Sequence, residues 1–237
     1  MRQLFPEAVD SVDPADVYAD RPIADSRPAV RLNMISSVDG ATTLNGVSGA
    51  LGGPGDKRVF AVLRGLADVV LAAAGTVRAE RYGPSNTPIA VVTRTAHLDW
   101  QSPFFCEAKV RPLVVTVDDA PAENLEHAAE VADVVIAGTG SVGLRQAIGE
   151  LGKRGYDHVL AEGGPSLNGQ LALENVLDEL CLTFSPKLAG GDAKRILDGL
   201  TLPAPTALSL RSVLEEDGYL FLRYRVRPTE EPSPPST

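Results

Sequence analysis

The sequence predicts a layered α/β domain on a mostly parallel central sheet, with antiparallel strands towards its C-terminal end. Two patterns carry this. Short apolar runs of strand length alternate with helix-period segments and glycine-bearing turns over most of the chain, as in a parallel sheet covered by helices. Beyond them, Glu179-Leu180-Cys181-Leu182-Thr183-Phe184 and Tyr219-Leu220-Phe221-Leu222-Arg223-Tyr224 alternate polar with apolar or aromatic residues, as antiparallel edge strands with one solvated or partner-covered face do. At 237 residues the chain is long enough for one large domain with a sizeable core.

Residues 1–28 carry Pro6, Pro14, Pro22 and Pro28 among small and acidic residues and read as an extended lead-in, so the domain is expected over 29–227. Val30 to Ser36 forms the first core strand and runs into an Asp39-Gly40 turn. Gly46, Gly49, Gly52, Gly53 and Gly55 make a loop suited to wrapping a ligand, or simply a surface loop. From Asp56 to Leu66, Val59, Val62, Leu63 and Leu66 recur at three- and four-residue steps, which predicts a helix. A strand over Ala67 to Ala74 follows, and Gly75 to Glu80 leaves it as a turn opening a short helix with Thr76 as N-cap. Ile89–Thr93, Leu113–Val117 and Val134–Ala137 read as further strands, separated by Pro-, Gly- and charge-rich connections, and 143–154 reads as a helix. Val159-Leu160-Ala161 then leads through Glu162 and the Gly163-Gly164 pair into a helical pattern from Leu167 to Leu177. The tail, 228–237, is nearly all Pro, Ser, Thr and Glu and is expected to be disordered.

Composition removes several functions. A formal charge of −9 leaves no overall basic field for nucleic acid or an anionic membrane. The apolar runs are far too short to cross a bilayer, and residues 1–20 lack the basic start and apolar core of a secretory signal, so a cytoplasmic address is expected. Cys106 and Cys181 have no Cys-x-x-Cys spacing, and His97, His127 and His158 are scattered, so neither a metal site nor a disulfide framework is expected. Ser48, Ser141 and Ser166 lie outside any Gly-x-Ser-x-Gly elbow.

Three glycine-bearing loops leave strands near 36–40, 75–80 and 162–166, and in a layered sheet such loops can converge on one cleft. Two consecutive glycines let a ligand approach the backbone, and the amides at the start of the next helix favour an anion such as a phosphate. The Thr93-Arg94 pair at another strand end offers a guanidinium for a 2′-phosphate, which favours NADP over NAD. No Gly-x-Gly-x-x-Gly follows the first strand, so the ordinary dinucleotide-binding fold is not supported.

Six segments in order, Ser36-Ser37-Val38-Asp39-Gly40, Gly46-Val47-Ser48, Leu63-Arg64 with Ala67-Asp68, Gly75-Thr76-Val77, Glu162-Gly163-Gly164-Pro165, and Asp178-Glu179-Leu180 with Pro186 and Gly190-Gly191, carry a resemblance. They resemble the reductase domain that follows the deaminase in bifunctional riboflavin-biosynthesis enzymes, and its stand-alone pyrimidine reductase relatives. The resemblance implies a dihydrofolate-reductase-like three-layer fold and hydride transfer from NADPH. The substrate would be a small heterocycle, a (di)aminopyrimidine 5′-phosphate whose ribosyl chain is reduced to ribityl. It implies that Ile35, Ala50, Gly75, Thr76 and Glu80 line the cofactor, together with Thr93 and Arg94 near the 2′-phosphate. Gly163, Gly164, Pro165, Ser166 and Leu167 would hold the pyrophosphate. Ser48, Arg64 and Glu162 would face the substrate.

Hydride transfer also needs a proton for the nitrogen or oxygen left behind. Asp39 and Glu162, the carboxylates inside the cleft-forming motifs, are the candidates, although an Asp-Gly after a strand also serves simply to bond its own turn. Many family members have Trp where this chain has Ala50, Asp at Glu80, and an Arg near Thr87 that helps hold the substrate phosphate. Here Arg81 or Lys57 would have to substitute. The His-x-Glu and Cys-x-x-Cys of the zinc deaminase do not occur in these residues. A dihydrofolate or pterin reductase, and a non-catalytic NADP-binding protein, stand as alternatives. A homodimer is expected if Leu180, Leu182, Phe184, Leu220 and Phe221 leave an apolar face at the β-rich end.

Overall fold

A computed structural model of the chain describes residues 1–227; the tail expected to be disordered lies outside them. The period-two strands meet in one ten-stranded sheet. Its parallel part runs β8 (Glu179–Ser185), β2 (Ala29–Ser37), β7 (His158–Ala161), β3 (Val69–Ala73), β4 (Ile89–Val92), β5 (Leu113–Thr116) and β6 (Asp133–Ile136). Beyond β8 the sheet turns antiparallel through β10 (Tyr219–Val226), β9 (Leu208–Glu216) and β1 (Arg2–Phe5).

Alternation along each strand divides the core into two layers. Val69 and Leu71 of β3, with Val159 and Ala161 of β7, face one side, while Val70, Ala72 and Leu160 face the other. The first side is covered by α6 (Leu144–Lys153) and α7 (Pro165–Leu173); Leu144, Ala147, Ile148 and Leu151 of α6 are fully buried at the three- and four-residue steps of one helix face. The second side is covered by α2 (Pro54–Leu66), which buries Val59 and Leu63, and by α1 (Pro14–Tyr18), α3 (Ala74–Ala79), α4 (Pro103–Cys106) and α5 (Ala122–Val131). Pro54 at the first position of α2 has the φ a helix needs and no amide to leave unsatisfied.

Thr76 lies inside α3 rather than capping it, the N-cap being Ala73, and two broader sequence expectations are also revised here. The lead-in carries β1 and α1, and Asp13 caps α1 by accepting from the Ala15 amide (2.9 Å). It is strapped to the sheet by charges buried on three adjacent strands. Glu179 of β8 sits between Arg31 of β2 (2.5 Å, off the hydrogen-bond axis) and Arg223 of β10 (2.9 Å). The remaining guanidinium donors bond the carbonyls of Val17 (2.9 Å), Tyr18 (3.4 Å) and Asp20 (2.9 Å). The charges are therefore paired, and most of their N–H groups are used, as burial demands; Arg31 Nε alone among these donors has its ion pair but no hydrogen bond among the described residues. Secondly, β8 is not an edge strand. It lies between β2 and β10, and Leu180, Leu182 and Phe221 are buried within this chain, so they leave no free apolar face of their own.

Candidate active site

The C-terminal ends of β2, β3 and β7 open into a cleft of about 410 Å³, within the size range of small-molecule sites. Asn33, Met34 and Ile35 of β2 form one wall. Thr42 and Thr43 come from the segment after β2, Ser48 from the glycine loop, Thr76, Glu80 and Arg81 from α3 and its exit, and Glu162, Gly164 and Pro165 from the end of β7 and the start of α7. Helix α2 contributes Asp56, Phe60 and Arg64, four residues apart and therefore on one helix face.

Glu162 is the most constrained group in the cleft. Its side chain is 2% exposed, and its two oxygens accept from Arg64 Nε and Nη2, both at 2.7 Å. Tyr82 donates its hydroxyl to the same carboxylate at 2.7 Å. Burial, and then the Glu162 charge, raise the Tyr82 phenol far above its ordinary range, so it stays a donor. The Arg64 guanidinium lies 4.5 Å from the Phe60 ring centre and 5.3 Å from that of Tyr82, which fixes the fork in place.

The paired glycines are required by close approach. Gly163 has φ +92°, a region L side chains rarely adopt, and a Cβ on Gly164 would lie 2.8 Å from Thr76 Oγ1. The peptide between them is cis. Gly164 is the N-cap of α7 through its backbone alone, and the amides of Ser166 and Leu167 have no acceptor among the described residues. Those donors, beside the cleft at a helix start, suit an anion.

Of the residues singled out from the sequence, Ile35, Ser48, Arg64, Thr76, Glu80, Glu162, Gly164 and Pro165 line the cleft. Gly75, Gly163, Ser166 and Leu167 adjoin them in the chain without lining it. Ala50 is in the glycine loop, where its carbonyl accepts from Lys187 Nζ (2.6 Å). Thr93 is buried at the end of β4, and Arg94 beside it is exposed, with no carboxylate partner among the described residues. Asp39 is not among the lining residues. It accepts from Ser37 Oγ (2.5 Å) and from the amides of Ala189 (3.0 Å) and Gly190 (2.7 Å), stitching the exit of β2 to the loop after β8. The Ser37 bond first, and then these amides, bring its carboxyl down to about 2. A carboxyl so held is ionised at neutral pH and has no proton to give, which favours the turn role over the catalytic one.

Asp56, Phe60 and Tyr82 also line the cleft and were not singled out from the sequence, whereas Arg81, named there with Lys57 as a stand-in for a phosphate-binding Arg, does line it. The four-residue step from Arg64 back through Phe60 to Asp56 was visible in the sequence; Tyr82 lies on an irregular stretch with no periodic signal.

Residues 28–218 match the family described as the RibD C-terminal domain. The chain belongs to the RibD C-terminal domain family. A pyrimidine reductase-like protein from Corynebacterium diphtheriae has a similar structure, with a TM-score of 0.76 at 27% identity over 85% of this chain and 93% of its own. The riboflavin biosynthesis reductase of Saccharomyces cerevisiae shares the fold at a TM-score of 0.71 and 19% identity, covering 88% and 94% of the two chains. In sequence, the chain is 29% identical over 185 residues to the 2,5-diamino-6-ribosylamino-4(3H)-pyrimidinone 5′-phosphate reductase of Methanothermobacter thermautotrophicus, covering 73% of this chain and 85% of that protein. The chain is thus an oxidoreductase of the riboflavin-pathway reductase type, and RibD-type reductases draw on a nicotinamide cofactor. The Ser166 and Leu167 amides at the start of α7 and the Arg94 guanidinium, which have no acceptor or ion-pair partner among the described residues, fit such a group. No helix among the described residues is long and apolar enough to cross a membrane.

Proposed function

We propose that residues 29–227 form an NADPH-dependent reductase that converts the ribosyl chain of a (di)aminopyrimidine 5′-phosphate to its ribityl form. The observation that carries this is the cleft itself, which sets the clamped Glu162 beside the glycine pair and the open amides of α7. The Ser166 and Leu167 amides would hold the pyrophosphate, and Arg94 would select the 2′-phosphate.

A reduced nicotinamide held by these residues would supply a hydride for the carbon of the opened, imine-form sugar, whose nitrogen would take up a proton. The chain's own residues hold the reacting carbons in line. Glu162 accepts on both oxygens from Arg64 and Tyr82, an arrangement that suits a carboxylate orienting a sugar hydroxyl, with the proton relayed through water. Thr87, where many relatives have Arg, uses its hydroxyl on the Arg64 carbonyl (3.3 Å). Arg81 lines the cleft, is exposed and has no ion-pair partner among the described residues, so it is the cation to anchor the 5′-phosphate.

A homodimer and a cytoplasmic setting belong to the same proposal. One face of the β9–β10 pair presents Val213, Leu220, Leu222 and Tyr224, all only half-buried, and Leu208 is exposed beside them. Loss of NADPH absorbance with a ribosylamino-pyrimidinone 5′-phosphate, but not with dihydrofolate, tests the reading. Turnover of dihydrofolate alone, or NADPH binding with no oxidation by either compound, rejects it.

A further inference from the structure

Of the four acidic side chains in or beside the cleft, three are already engaged. Glu162 is held by Arg64 and Tyr82, and Glu80 accepts from the Ser48 amide at 2.7 Å. Asp39 accepts from the Ala189 and Gly190 amides outside the cleft. Asp56 is different. It lines the cleft from the first turn of α2, yet no backbone amide and no cation donates to its carboxylate among the described residues. Its neighbour there is the buried Thr183 hydroxyl of β8. Burial raises its carboxyl above the ordinary range, with Thr183 and then Lys57 opposing. A carboxylate partly removed from water with most of its acceptor capacity unused gains from a ligand that brings donors.

The proposed substrates differ in the donors they bring. A 2-aminopyrimidin-4-one presents two adjacent donors, the ring N3–H and the 2-amino group, which match the two oxygens of one carboxylate. In the deaminated uracil form the 2-amino group is replaced by a carbonyl, which turns one of the two contacts into acceptor facing acceptor. Phe60, one turn along the same helix face, supplies a flat apolar wall beside that edge.

We infer that Asp56 is a specificity-determining residue that reads the N3–H and 2-amino edge of the pyrimidinone, so that the chain reduces the 2-amino substrate in preference to its uracil counterpart. This rests on the reductase function proposed above.

The test measures kcat/KM of the full chain with NADPH for both ribosylamino 5′-phosphates, the 2-aminopyrimidinone and the uracil, in wild type and Asp56→Asn. The wild type is expected to prefer the 2-amino form by about 10- to 100-fold, the range of one hydrogen bond to a charged group. The variant is expected to lose most of that preference through a higher KM for the 2-amino substrate, with KM for NADPH unchanged. Equal use of both substrates by the wild type, or an Asp56→Asn enzyme that keeps the preference, overturns the assignment while leaving the reductase function standing. Oxidation of NADPH by neither substrate removes both.

Discussion

Replacing Glu162 by Gln keeps the shape of the side chain and removes its charge. In the native cleft that charge receives two donors from Arg64 and one from Tyr82, all at 2.7 Å. An amide can satisfy only part of this set, and it turns an NH2 group towards one of the three donors. Hydrogen bonds to charged groups contribute about 1.5–3 kcal/mol each, and breaking a fully buried ion pair costs about 3–5 kcal/mol. Arg64 is 25% exposed, so water recovers part of the loss and the lower range is the appropriate one. A cost of about 2 kcal/mol corresponds to a melting temperature lower by about 4–8 °C for a chain of this size. Thermal unfolding followed by circular dichroism measures it. A cycle with Arg64→Ala separates the pair from its surroundings, with an expected coupling of about 0.5–3 kcal/mol. A Glu162→Gln protein that melts with the wild type, or strict additivity with Arg64→Ala, refutes the clamp.

Other consequences can be checked with purified protein. Arg94→Ala should weaken NADPH binding by about 10- to 100-fold and leave NADH unchanged, as calorimetry would show; equal losses for both cofactors remove Arg94 from the 2′-phosphate. Gly164→Ala brings a Cβ to 2.8 Å from Thr76 Oγ1, with an overpacking cost of about 1–3 kcal/mol and weaker cofactor binding, and Thr76→Ala in the same chain should restore part of the stability. Asp39 has its carboxyl lowered from 3.8 to about 2, so its contribution to stability is complete above pH 3.8 and is lost as the pH falls through about 2. Asp39→Asn should therefore lower the melting temperature at neutral pH and converge on the wild type in strong acid; a gap that widens on acidification contradicts this.

The strands and long helices were legible because each buries one periodic face. Leu144, Ala147, Ile148 and Leu151 announce α6 in the sequence and are fully buried in the structure. Helix α5 was read as a charged connection because it buries little, with Ala128 as its one fully buried position. The alternation in β8 signalled a strand but not its place. Glu179 and Thr183 look like solvent-facing residues, yet they are buried, Glu179 between two arginines and Thr183 beside Asp56. The prolines of 1–28 hid β1 and α1, whose stability comes from long-range pairing with β9 and from carbonyls bonded by Arg31 and Arg223. In the cleft, motif residues such as Glu162, Gly164 and Thr76 could be found one by one. The partners that decide their chemistry, Arg64 to Glu162 across 98 positions and Tyr82 to Glu162 across 80, meet only once the sheet is built.

The proposed reductase function depends on this cleft presenting nicotinamide and pyrimidine to each other. The direct measurement mixes the full chain with NADPH and 2,5-diamino-6-ribosylamino-4(3H)-pyrimidinone 5′-phosphate and follows cofactor absorbance together with the mass of the product. The predicted result is one NADPH consumed for each substrate gaining two hydrogens, with a large loss of rate in Glu162→Gln. Cofactor and substrate that both bind while neither changes, or a rate indifferent to Glu162, would contradict it.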